Sequence, residues 1–353
     1  MKMHDQNLLY QEINGDGLDF FDYKNKDKFS VFGFYDFYNT EKPLRMPDDI
    51  AKAVNVGVDG ANPLNAGGRI CFKTNSKKIA IVAKVSCFHG ANFCAIGLAG
   101  FDLNVKENGK FHRRKIFRPK DDPSLPYSGI VELVDGDKEI LLHMPNYGAV
   151  ESLEIGIEKG CYVQPLNPYR QDIKPILYYG SSITQGGCAS VPGNTYENII
   201  AVRNSIDFVN LGFSGWAKAE PLMAEYIANQ DIGLFVYDYD HNAPNLQYYK
   251  DTHYPFYKKI REIKPDLPIL VVTRPDVEQT PSATDPRIAV ALETVERAKD
   301  EGDKNIYFIN GYDLFGSEDL DLCTVDGCHP NDLGFYRMAN VIGEKINEIL
   351  KLK

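Results

Sequence analysis

The change of rhythm at Lys174 constrains this chain's fold more than any other feature. Beyond it, five short apolar runs, "PILYY", "DFVNLG", "IGLFVYD", "PILVVT" and "NIYFIN", alternate with helix-like stretches near 195–205, 219–229, 247–264 and 285–302. A last helix-like stretch runs from about 331 to 351. Runs that are apolar at nearly every position suit strands buried on both faces, and strands separated by helices run parallel. The expected class of this half is α/β: a parallel, doubly wound five-stranded sheet with helices on both faces.

Up to about residue 170 the pattern is different. "GGRICFKTNSKKIAIVAKVSCF" alternates loosely and turns at Asn75-Ser76. "FCAIGLAGFDLNVKENGKFHRRKIF" contains a hairpin signal at Asn108-Gly109, and "GIVELVDGDKEILLHMP" repeats that device at Asp135-Gly136. Segment 150–160 adds another alternating stretch, and no long stretch has a helical period. Short strands at this spacing predict an all-β sandwich or jelly roll. A length of 353 residues exceeds what one core supports. The polar, Pro-flanked "LNPYRQDIKP" then divides the chain into an accessory β domain, 1–172, and an α/β domain, 173–353.

The formal charge is −10, with the acids dispersed. Nucleic acid and anionic membranes need concentrated Lys/Arg, so neither is an expected partner. The short basic run "HRRK" at 112–115 reads as a solvated strand end. Seven cysteines form no CxxC pair. An odd count without a framework fits reduced thiols and a cytoplasmic protein. The Cys323, Cys328 and His329 spacing matches no zinc pattern, so no metal is expected. No window reaches the ~18–20 apolar residues of a membrane span, and the first residues lack a leader's apolar core.

Ligands of an open α/β sheet bind beyond the C-terminal ends of its strands. Those ends carry Gly180-Ser181-Ser182, Phe213-Ser214-Gly215-Trp216, Tyr239-Asp240-His241-Asn242 and, through a loop, Asp326-Gly327-Cys328-His329. Ester hydrolysis needs a hydroxyl, a base to deprotonate it, a carboxylate to orient the base and fixed donors for the oxyanion. Ser182, His329 and Asp326 supply the first three. The backbone N–H groups of Ser182 and Gly215 and the side-chain amide of Asn242 supply the donors. No GxSxG elbow occurs, which disfavours the common α/β-hydrolase arrangement.

In that order, "GSSITQG", "NLGFSG", "DHNAP" and "DGCHPNDLGF" resemble the four blocks of the SGNH/GDSL hydrolase superfamily. The resemblance implies a flavodoxin-like three-layer α/β/α domain, Ser182 as nucleophile, Gly215 and Asn242 as oxyanion donors, and a final DxxH at Asp326 and His329. Ser181 stands where many members have Asp, and the usual G-x-N-D is here Asp240-His241-Asn242-Ala243. "GFDLNV" and "MPNYGAVESLEIGI" look like the small β domain of a bacterial SGNH subgroup with a G-x-D-L-Y motif, Asn104 replacing the Tyr.

The expected activity is that of a serine esterase acting through an acyl-enzyme, without cofactor, on a small acyl group. Acetyl on a carbohydrate is the preferred case, by likeness to carbohydrate esterases. Two alternatives stay open: a phospholipid or lysophospholipid acylhydrolase, and a glycan-binding protein with a degenerate esterase domain. The expected partner is a small-molecule or oligosaccharide ester, and a second copy of the chain is left open. Further pocket candidates are Trp216, Asp240, His241 and Arg274. Trp216 reads equally as a sugar or acyl wall and as packing against the second helix. Asp240 and His241 read also as a structural pair. Arg274 contacts substrate or pins the strand ends Asp238 and Asp276.

Overall fold

The computed structural model describes residues 12–87, 90–123, 125–275 and 281–352. The rear half is a parallel sheet of β11 (Ile176–Gly180), β12 (Phe208–Gly212), β13 (Leu234–Asp238), β14 (Ile269–Val272) and β15 (Ile306–Ile309) in the order β12-β11-β13-β14-β15. Each run expected as a strand is one. Alternate residues face opposite layers, which is why both parities are apolar. Leu177, Tyr179, Phe235, Tyr237, Ile269 and Val271 share a core with α6 (Pro221–Ala228), α7 (Leu246–Ile263) and α8 (Pro281–Asp300). Ile176, Tyr178, Leu234, Val236, Leu270 and Val272 pack against α5 (Tyr196–Asn204) and α9 (Asp332–Ile349) on the other side. A four-residue helix, α4 (Ser182–Gln185), follows β11.

The front half contains β1 (Leu18–Asp22), β2 (Ser30–Phe32), β3 (Arg69–Thr74), β4 (Lys78–Cys87), β5 (Phe101–Glu107), β6 (Lys110–Phe117), β7 (Tyr127–Glu132), β8 (Lys138–His143), β9 (Gly148–Glu158) and β10 (Val163–Pro165). They form two antiparallel sheets, β1-β9-β4-β7 and β10-β3-β8-β5-β6, with β2 also on β3. Ile79, Ile81 and Ile155 of the first share one core with Phe72, Leu103 and Ile140 of the second, so the sheets stack as a sandwich.

Two expectations are corrected here. Asn108 and Gly109, both at positive φ (50° and 80°), close the β5–β6 hairpin as expected. Asp135-Gly136 does not close one, because β7 pairs with β4 while β8 pairs with β3 and β5. The turn there is a crossover between sheets, with the same local chemistry as a hairpin. The front half also contains helices: α1 (Asp48–Val54), α2 (Val56–Ala61) and α3 (Ala95–Ala99). Each is too short to show a period, and such helices depend on tertiary packing.

That packing crosses the chain. Met46, Ala51 and Val58 are fully buried in the core formed by α6, α7 and the parallel sheet. Arg45, 1% exposed, donates to the carbonyls of Gly212, Asn210 and Ala61, and its guanidinium stacks 4.5 Å from the Phe213 ring centroid. Arg69 donates to the Phe208 carbonyl at 2.7 Å and to Asp207 at 3.1 Å. A buried carbonyl stripped of its donor costs ~1–3 kcal/mol. Arg45→Met is therefore expected to lower unfolding free energy by on the order of 3 kcal/mol. A urea midpoint equal to wild type would exclude that role for Arg45.

Candidate active site

The chain leaves β11 at Gly180, where a Cβ would lie 2.0 Å from the Asp238 carbonyl; only glycine permits this approach. Ser181 then caps α4, its hydroxyl accepting the Ile183 N–H at 3.2 Å. Capping by a small oxygen-bearing side chain is the role an Asp would serve there. Ser182 is the first residue of the helix, with its hydroxyl free to point outward. Its Oγ lies 2.8 Å from His329 Nε2, and His329 Nδ1 lies 2.8 Å from Asp326 Oδ2. With the ring proton on Nδ1, the serine hydroxyl donates to Nε2 and the imidazole donates to the carboxylate.

Asp326 and His329 share a tight loop just before α9. Val325 N–H donates to the His329 carbonyl at 3.0 Å, and Asn331 caps α9 by accepting from Leu333 and Gly334. The other carboxylate oxygen, Asp326 Oδ1, accepts the backbone N–H groups of His329 at 2.7 Å and Cys328 at 3.1 Å. Partial burial opposes ionisation of Asp326, but the donors of His329, Asn92 and Cys328 outweigh it and bring the pKa down to about 2. The carboxylate is thus charged throughout the neutral and mildly acidic range.

The sheet order sets Gly215, Ser182 and Asn242 after three adjacent strands, β12, β11 and β13. Gly215 sits at φ 75° with open space around it. Its N–H, like that of Ser182, is taken by no other protein group among the described residues. Asn242 is 9% exposed and donates one amide hydrogen to the Phe213 carbonyl at 2.9 Å, leaving the second for a ligand. Phe213 N–H in turn donates to the Gly180 carbonyl at 2.9 Å, so the three donor segments are tied to one another.

The remaining pocket candidates are placed less uniformly. Asp240 is fully buried; its Oδ2 accepts the Arg274 backbone N–H at 3.1 Å, and burial pushes its pKa up to about 6 against the pull of Arg274 and Arg287. Burial and the charge of Asp240 also hold Asp238 well above the usual carboxylate range. The Arg274 guanidinium reaches Thr284 of α8 at 3.0 Å rather than Asp238, and Asp276 lies outside the described residues. His241 Nδ1 is 3.9 Å from Cys328 Sγ, bridging the third and fourth blocks. Trp216 is 39% exposed. Its ring covers Gly57 of α2, where a Cβ would fall 1.9 Å from the indole, with Lys218 stacked at 4.6 Å.

Several neighbours of the site carry no signal in the sequence. Asn92 Nδ2 donates to Asp326 Oδ2 at 2.7 Å from a front-half loop. Phe93 lies beside His329, ring centroids 6.3 Å apart, and packs edge-on against Tyr147 at 4.8 Å. Tyr147 donates to the Ser182 carbonyl at 3.0 Å. Cys188, rather than Cys323 or Cys328, is the thiol whose sulfur lies within 4.8 Å of the Asp326 and His329 ligand atoms. Burial, with Asp326 and Cys328 nearby, pushes its thiol up to about 12, so it is a poor nucleophile.

Comparison with known proteins adds an independent line. Residues 173–347 match the family described as GDSL-like Lipase/Acylhydrolase, and residues 18–163 match the GxDLY family, the N-terminus of Esterase_SGNH_hydro-type proteins. No curated protein matches this sequence. A GDSL-like lipase structure from Bacteroides ovatus is similar at 29% identity and TM-score 0.85, over 95% of this chain and 99% of that one. The salicylyl-acyltransferase SsfX3 of a tetracycline biosynthetic pathway shares the fold at 19% identity and TM-score 0.78, over 96% and 99%. A family two carbohydrate esterase from Clostridium thermocellum, solved with cellohexaose, does so at 14% identity and TM-score 0.63, over 92% and 99%.

Proposed function

Given that this chain belongs to the GDSL-like lipase/acylhydrolase family and is an SGNH-type esterase, we propose that it removes short acyl groups, acetyl above all, from carbohydrates. The observation that carries the reaction is the unbroken path from Ser182 Oγ through His329 to Asp326, with both links at 2.8 Å. In the proposed mechanism His329 Nε2 takes the Ser182 proton as Oγ attacks the ester carbonyl. The resulting oxyanion is held by the N–H groups of Ser182 and Gly215 and the free amide hydrogen of Asn242. Each such donor is worth ~3–4 kcal/mol of barrier. His329 hands its proton to the departing alkoxide, leaving an acyl-Ser182 ester. It then deprotonates a water that cleaves this ester and releases the acid. Asp326 stays ionised and steadies the imidazolium at each stage.

What supports the substrate class is the likeness of the whole two-part architecture to a family two carbohydrate esterase. The test is a chain-length series of aryl esters from acetate to decanoate, with acetate release from a panel of acetylated glycans. A maximum at acetate with release from at least one glycan is expected. Preference for long chains would favour a lipid acylhydrolase. A folded protein that a fluorophosphonate fails to label would favour the non-catalytic glycan binder.

A further inference from the structure

We propose that Asn92, in the loop between β4 and α3 of the front sandwich, is a positioning residue for the esterase reaction; this rests on the triad reading above. The two oxygens of Asp326 are loaded differently. Oδ1 is held by two backbone amides of its own loop, so it sets where the carboxylate sits. Oδ2 is the oxygen that faces the imidazole, and within its own half of the chain only His329 Nδ1 holds it among the described hydrogen bonds. The side chain is 27% exposed, so water competes for this oxygen. Asn92 supplies the second donor, 2.7 Å away and 234 residues distant in sequence. A carboxylate pinned at both oxygens cannot turn about its Cβ–Cγ bond, and its Oδ2 lone pair stays aimed at Nδ1–H.

The neighbours of Asn92 act in the same direction. Phe93, the next residue, places its ring centroid 6.3 Å from that of His329. Tyr147, which packs on Phe93, holds the carbonyl of Ser182. One short stretch of the sandwich thus contacts the base and its orienting acid and, through Tyr147, the turn that carries the nucleophile. A hydrogen bond to an ionised group is worth about twice a neutral one, although the exposure of Asn92 tempers this.

The test is a double-mutant cycle on the full-length protein, reading kcat and KM for an aryl acetate and the rate of labelling by a fluorophosphonate. Asn92→Ala is expected to lower kcat and labelling roughly 5- to 20-fold, with KM changed less than about twofold and thermal midpoint unchanged. In an Asp326→Ala background the same substitution should change neither rate, because its target is gone. Unaltered kcat in the single variant, or an equal loss in both backgrounds, would overturn the proposal. Ser182→Ala serves as the reference: if it kept wild-type activity, the triad reading would fall, a result distinct from failure of the Asn92 role.

Discussion

Ser182→Ala is expected to reduce kcat for an aryl acetate by on the order of 10⁵-fold or more, with folding and KM little changed. The magnitude follows from how triads behave: removal of the nucleophile alone removes nearly all that the triad contributes. What survives is the oxyanion site acting on a water-driven reaction, worth roughly 10³–10⁴ over solution. The fold should tolerate the change because it is Ser181, not Ser182, that caps α4. The Ser182 hydroxyl bonds only to His329 among the described residues. Steady-state kinetics, with circular dichroism to confirm folding, decide the matter. Full activity in the variant would remove Ser182 from the reaction.

Residues 173–353 expressed alone are expected to lose cooperative folding and, with it, activity. Their core would be opened where Met46, Ala51 and Val58 now fill it, a loss of about 5 kcal/mol at ~1.5–3 kcal/mol for each larger side chain. The carbonyls of Phe208, Asn210 and Gly212 along β12 would also lose the guanidinium donors of Arg69 and Arg45. Together these approach the ~5–15 kcal/mol that holds an ordinary domain together. Trp216, the only tryptophan, should report the same event by a red-shifted emission, since α2 no longer covers its ring. A sharp urea transition at the wild-type midpoint would sink this expectation.

The rear sheet is legible in the sequence because strands buried on both faces must be apolar at both parities, a pattern that needs no partner to be recognised. The DxxH pair is legible because Asp326 reaches His329 within one turn of chain. The assembly of Ser182 with His329 follows from all strand ends of a parallel sheet sharing an edge. Asn92 is not legible: its relation to Asp326 exists only through the docking of one half on the other. The crossover at Asp135-Gly136 is hidden for the same reason, since turn residues report local backbone shape and not which sheet the next strand joins. Helices α1 and α2 are hard to read because seven and six residues span two turns or fewer; their signals are local, Asp48 and Asp49 in the first turn of α1 and Asn55 capping α2.

The burial of Met46, Ala51 and Val58 beneath α6 and α7 also bears on how the chain comes into being. Synthesis runs from the N-terminus, so these side chains leave the ribosome well before residues 221–263, which will cover them, exist. At ~5–20 residues per second the interval is on the order of ten seconds. Throughout it the sandwich can close its own sheets while holding out an apolar hook with nothing to grip. The nascent chain is therefore most exposed to chaperones and to misassociation not when it is shortest, but when it is half complete.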